Sequence, residues 1–115
     1  MSHAYYIDLE NVQAKGLIGA GKISKNDTVF IFYSIHAKPR IPFDTAQEIA
    51  MSKGTFIFKE VVYLGKNAMD KEIVREARKH MEKYDNFTYH IVSKDKGFKK
   101  AFKDTKNVVY QAKIK

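Results

Sequence analysis

The chain has 115 residues, 44% hydrophobic and 30% charged, with no cysteine and a formal net charge of +8. A chain of this length and apolar content can bury its own core, so residues 1–115 read as a single domain. The lack of cysteine excludes disulfides and thiolate-held zinc or iron–sulfur clusters. The excess of 21 Lys+Arg over 13 Asp+Glu favours a polyanionic partner, because each neutralised phosphate releases condensed counterions.

No apolar run reaches transmembrane length, and the N-terminus lacks the basic-then-apolar layout of a signal peptide, so the expected location is cytoplasmic, away from membranes. Residues 4–9 (AYYIDL) read as a short strand covered on both faces, ended by Glu10 and Asn11. Across 12–22, Gly16, Gly19 and Gly21 leave room only for a short, weakly specified helix around Leu17 and Ile18. Residues 28–33 (TVFIFY) are the clearest strand, entered through a turn at Lys25, Asn26 and Asp27. Pro39 and Pro42 delay the next helix, which Asp44 or Thr45 is expected to cap and which runs to Met51 before Gly54 stops it. Residues 55–64 (TFIFKEVVYL) are β-rich, with Lys59 and Glu60 implying a bulge, an edge or two short pieces, and Gly65, Lys66 and Asn67 turn the chain.

The spacing predicts a helix over 68–84, with Ile73, Val74, Ala77, Met81 and Tyr84 on one stripe. A strand over 88–92 and a short helix over 96–103 follow, the helix turning Phe98 and Phe102 inward. Residues 107–110 are a last strand, and the tail 111–115 is expected to be loosely held. Alternating strands and helices imply a three-layer α/β/α sandwich on a mainly parallel sheet of about five strands with right-handed crossovers.

In an open α/β sheet, ligands bind outside the carboxyl ends of the strands. Asp8 closes the first strand, Asp95 follows the fourth and Asp70 opens the long helix, so the topology places these acids on one edge. Gathered carboxylates repel one another and hold their protons more tightly. A hard divalent cation relieves that repulsion, polarises a phosphoryl oxygen and lowers the pKa of a bound water. Lys38, Arg40, Lys66, Lys94 and Lys96 belong to loops on the same edge, where they can hold flanking phosphates. Acids at the centre with cations at the rim form the layout of a metal-dependent nuclease. Glu10 and Asp104 are further candidates to reach the metal.

Each acid has a plainer reading. A carboxylate in an apolar strand, as at Asp8, is costly to explain as mere solubility. Asp70 can act simply as a first-turn acid favoured by the helix dipole, and Asp95 as a turn or N-cap residue. The four histidines show no pair at metal-ligand spacing, and His90, alternating within a strand, reads as a half-buried core residue. Ser93 has no visible base partner, the glycines at 16–21 do not spell a dinucleotide fingerprint, and no Walker-type lysine loop occurs.

Ile7-Asp8-Leu9-Glu10-Asn11, then Lys66-Asn67-Ala68-Met69-Asp70, then Ile91-Val92-Ser93-Lys94-Asp95-Lys96-Gly97-Phe98 occur in that order along nearly the whole chain. Together they resemble the PIN-like nuclease superfamily, particularly its NYN-type branch. The resemblance implies strand order 3-2-1-4-5, magnesium or manganese held by clustered acids, and cleavage of RNA, usually single-stranded. It matches Asp8, Asp70 and Asp95 to the metal acids, and Asn11 to a residue that supports the site; Ser93 is a further candidate for site support. Many members carry a second acid two residues after the last; here that position is Gly97, which leaves a fourth acid unassigned.

The expected function is Mg2+- or Mn2+-dependent endoribonuclease, with DNA open as a second substrate. The alternative is a nucleic-acid-binding or regulatory module of the same fold that cuts little. A small-molecule phosphatase or phosphoacceptor is disfavoured because no Asp-x-Asp pair follows strand one, position 10 being Glu. The resemblance also raises a homodimer; no residue marks an interface with it or with another protein partner.

Overall fold

Runs of Val, Ile, Phe, Tyr and Thr suit a pleated, half-buried surface, and a helical segment between successive runs lets them lie parallel. The computed structural model describes residues 2–62 and 67–115. Its strands are β1 Ser2–Asp8, β2 Thr28–Tyr33, β3 Thr55–Glu60, β4 Phe87–Val92 and β5 Val108–Gln111. Its helices are α1 Leu9–Val12, α2 Phe43–Met51, α3 Ala68–Lys83 and α4 Gly97–Ala101, with 3-10 turns at Gln13–Leu17, Ala20–Lys22 and Ile35–Ala37. Every strand pair is parallel and the order is β3-β2-β1-β4-β5. This is the expected order. It puts the reversal of chain direction across the sheet at β1 and β4, whose carboxyl ends therefore face the crevice where such sheets take ligands.

The period of two along β1 divides the core. Ala4 and Tyr6 join Phe30, Phe32, Ile73, Ala77 and Phe98 on one face, while Tyr5 and Ile7 join Val29, Ile31, Leu17 and Ile114 on the other. Each of these large side chains, fully buried, contributes about 1.5–3 kcal/mol. Asp8 has the parity of Ala4 and Tyr6, so it lies on the face that α3 covers. Lys59 of β3 reaches the buried Glu76 of α3 at 3.7 Å, and the Tyr6 hydroxyl meets His80 Nδ1 at 2.6 Å. These polar contacts fix α3 along the sheet, which sets where its first turn stands.

Several local expectations change. Leu9 ends up in α1 rather than in the first strand, because the chain turns directly after Asp8 to bury Leu9 and Val12. Residues 12–22 form 3-10 turns rather than one helix. The N-cap of α2 is Pro42, with no side-chain cap; the Asp44 carboxylate instead accepts the Thr45 N–H at 2.8 Å. β3 stops at Glu60 and lies at the sheet edge; residues 63 and 64 of the expected strand, with Gly65 and Lys66 of the turn, lie outside the described residues. Tyr84 falls just past α3 and is 48% exposed, so the stripe ends at Met81.

The tail is the largest correction. Ile114 is 2% exposed, its N–H donates to the Gly16 carbonyl at 3.0 Å, and Lys115 N–H donates to the Ile18 carbonyl at 2.9 Å. Gln111 Nε2 donates to the carbonyls of Lys113 and Ile114 at 2.8 Å each. Gly19, at φ 100°, allows this approach: a Cβ there would stand 2.7 Å from Lys115. One apolar side chain among lysines carries little signal until the surface it fills exists. No helix among the described residues is long and apolar enough to cross a membrane.

Candidate active site

Asp8 is the last residue of β1 and is 4% exposed. The Ser93 hydroxyl donates to Asp8 Oδ2 at 3.0 Å, and the Asn11 backbone N–H also reaches that carboxylate. Both contacts favour the ionised acid. Burial opposes them and prevails, so the Asp8 carboxyl holds its proton above the ordinary range.

The loop after β4 is fastened to the same place. Ser93 Oγ accepts the Asp95 N–H at 3.1 Å, Asn11 Oδ1 accepts the Lys94 N–H at 2.7 Å, and Asp95 Oδ1 accepts the Gly97 N–H at 2.8 Å. Ser93 thus stands between two acids as donor to one and acceptor from the other's backbone. Asp95 is a turn residue, as the plainer reading has it, yet that turn places it beside Asp70.

Asp70 sits in the first turn of α3 and its carboxyl is pushed up to about 7. Desolvation is the largest cause, followed by the hydrogen bond it shares with Asp95 and by the charges of Asp95, Asp8 and Glu10. Asp95 moves the other way, lowered first by the Gly97 N–H and then by Asp70. The two carboxyls hold one proton between them, and it rests on the more buried Asp70.

The structure therefore gathers Asp8, Glu10, Asp70 and Asp95 into one electrostatic cluster. Asp104 lies in the turn after α4 and is not among the charges acting on Asp8 or Asp70. Lys38 and Arg40 line a 430 Å³ groove with Glu10 on one side of the cluster. A second groove, of 550 Å³, contains Asp70 and Asp95 together with Lys71 and Arg75. Lys94 and Lys96 are exposed on the loop carrying Asp95; Lys66 lies outside the described residues. Sequence reasoning passed over Lys71 and Arg75, although their place one and five residues after Asp70 on the predicted helix was a usable signal.

A family model for the PIN domain matches residues 2–113. The chain belongs to the PIN domain family. PIN domains are usually nucleases and typically use divalent metals. The parallel five-stranded sheet of order 3-2-1-4-5 flanked by helices is that of a PIN-like α/β sandwich. No curated protein sequence and no solved structure matches the chain.

The donor set of this PIN domain, carboxylate oxygens from β1, the first turn of α3 and the loop after β4, suits a hard divalent cation. Among the described residues, no three acids or histidines stand close enough to ligate one ion as the side chains lie. Binding would thus require the proton shared by Asp70 and Asp95 to leave and their carboxylates to turn inward. At Gly97, an added Cβ would lie 3.1 Å from Asp95 Oδ1, so this position adjoins the acids without contributing one.

Proposed function

We propose that this PIN domain is a Mg2+- or Mn2+-dependent endoribonuclease acting on single-stranded RNA. The observation that carries this reading is the convergence of Asp8, Asp70 and Asp95 at one edge of the sheet, where desolvation first, then the bond to Asp95 and the charges of Asp95, Asp8 and Glu10, push the Asp70 carboxyl up to about 7. A group of carboxylates that must keep a proton at neutral pH is destabilised without a counter-charge, and natural proteins retain such strain where it serves a ligand. Asp8, Asp70 and Asp95 would hold the ion, with Glu10 at the rim. The bound ion supplies charge neutralisation of the phosphoryl group and an activated nucleophile.

The chain's own residues do the rest. Ser93 and the Asn11 N–H keep Asp8 in one orientation, so its carboxylate is presented without further ordering. Asn11 and Ser93 hold the 93–97 loop in register with β1. Lys38 and Arg40 in one groove and Lys71 in the other, with Lys94 and Lys96 exposed on the loop that carries Asp95, hold backbone phosphates of a strand crossing the acids. Single-stranded substrate fits best because a flexible backbone can follow both grooves.

The test is metal-dependent cleavage of single-stranded RNA by the parent and by Asp8→Asn with Asp95→Asn. Loss of cleavage in the double variant, with RNA binding kept, supports the reading. Cleavage that persists in the variant, or in excess chelator, overturns it. Gly97 motivates the second reading, a PIN domain that binds nucleic acid without cutting: RNA binding that weakens with salt and shows no metal-stimulated turnover selects it.

A further inference from the structure

We propose that the groove beside Glu10 is a subsite for one nucleotide, in which Gln13 reads the base and Lys38 and Arg40 hold the phosphate. This deepens the nuclease reading and takes its class of ligand from it. The first observation is backbone strain. Among the described residues, Gln13, Lys38, Asn67 and Asn107 are the non-glycine residues at positive φ. Asparagine visits that region readily; glutamine and lysine seldom do. Gln13 stands at φ 57°, ψ −162°, a combination almost confined to glycine, and Lys38 at φ 51°, ψ 60°. Both line the same groove.

Such conformations persist only where their surroundings impose them, and they concentrate at ligand sites. The Gln13 N–H donates to the Leu9 carbonyl, and Leu9, Val12, Gly16 and Leu17 around it are buried. The Lys38 N–H donates to the Ile35 carbonyl at 3.1 Å. Gln13 closes α1 and Lys38 closes the 3-10 turn Ile35–Ala37, and these capping bonds hold both residues in fixed positions on the groove.

The second observation is the groove's chemistry. Its 430 Å³ falls within the range of about 300–1,000 Å³ found for small-molecule sites. Leu9, Ala14, Tyr33 and Pro42 give it apolar walls against which a base can lie. Lys38 and Arg40 supply the positive charge that a phosphate requires. Glu10 belongs both to this groove and to the acid cluster, so a nucleotide seated here has its neighbouring phosphodiester beside Asp8. The Gln13 amide offers a donor and an acceptor side by side, the pattern that pairs with adenine. The expected preference is therefore adenine.

The test is an NMR shift titration of the unmodified chain, in chelator, with the 5′-monophosphates of adenosine, guanosine, cytidine and uridine. Adenosine monophosphate is expected to bind at least about fivefold more tightly than the uridine analogue. Lys38→Ala with Arg40→Ala should weaken all of them alike, by about tenfold. Gln13→Ala should erase the base preference. Gln13→Gly should erase it too while raising Tm, because glycine accepts the angles that strain glutamine; this separates recognition from folding. Absent or equal binding of the nucleotides, or a preference that survives Gln13→Gly, overturns the proposal. Because the readout is binding without metal, base discrimination in a chain that never cuts RNA would sink the nuclease reading alone. Cleavage by a chain that does not discriminate would sink the subsite alone.

Discussion

Asp70→Asn is expected to stabilise the metal-free protein, and to do so above neutral pH. Folded, Asp70 keeps its proton up to about 7; unfolded, it ionises near the ordinary carboxylate value of 3.8. Below that lower value both states carry the proton, and removing the acid changes little. Between the two values the unfolded chain has released a proton that the folded chain still binds. Folding stability therefore falls as pH rises, by about 1.4 kcal/mol per pH unit in the fully desolvated limit. Above the folded value the whole penalty is present. Asp70 is only partly buried, so water screens the repulsion, and Asp95, whose carboxyl is held low, offsets part of it. A gain of about 1–2 kcal/mol at roughly pH 8 remains for the variant, or about 4–8 °C in Tm for a domain of this size. Thermal melts of parent and variant in chelator, at roughly pH 4 and pH 8, measure it. A divalent cation should then raise the parent's Tm and leave the variant's nearly unchanged. A variant no more stable than the parent at the higher pH would refute the account of a repulsive acid cluster.

Ser93→Ala removes the 3.0 Å bond to buried Asp8 and should lower stability by about 1–3 kcal/mol; cleavage should fall while RNA affinity, read by fluorescence anisotropy, stays level. Gly97→Asp places a carboxylate beside Asp95 Oδ1, and calorimetric titration should show tighter Mn2+ binding together with a lower Tm in chelator. Ile114→Ala should cost about 2–4 kcal/mol in a urea melt, because that side chain is 2% exposed in the core; a loosely held tail would show no change.

Much of the fold is legible locally. A continuous run of β-branched and aromatic side chains marks the strand at Thr28–Tyr33 to the residue, because a strand buried on both faces needs the same residue types at every position. The stripe of Ile73, Val74 and Ala77 marks α3 in the same way, since helical period is a property of neighbours in sequence. The alternation of these elements leads to a parallel sheet, and the position of each acid relative to its strand or helix leads to one edge. What the chain alone does not contain is whatever depends on distant segments meeting. Ile114 is buried only because Gly16, Ile18 and Gly19 present backbone to receive it. Gln13 takes a glycine-like backbone because α1 and the turn after it constrain it from both sides. The proton shared by Asp70 and Asp95 exists only once β1, α3 and the loop after β4 converge. Sequence by itself determined which residues are acids at the ends of elements. Tertiary structure decided which of them stand near enough to compete for a proton, because electrostatic repulsion follows distance and burial rather than position along the chain.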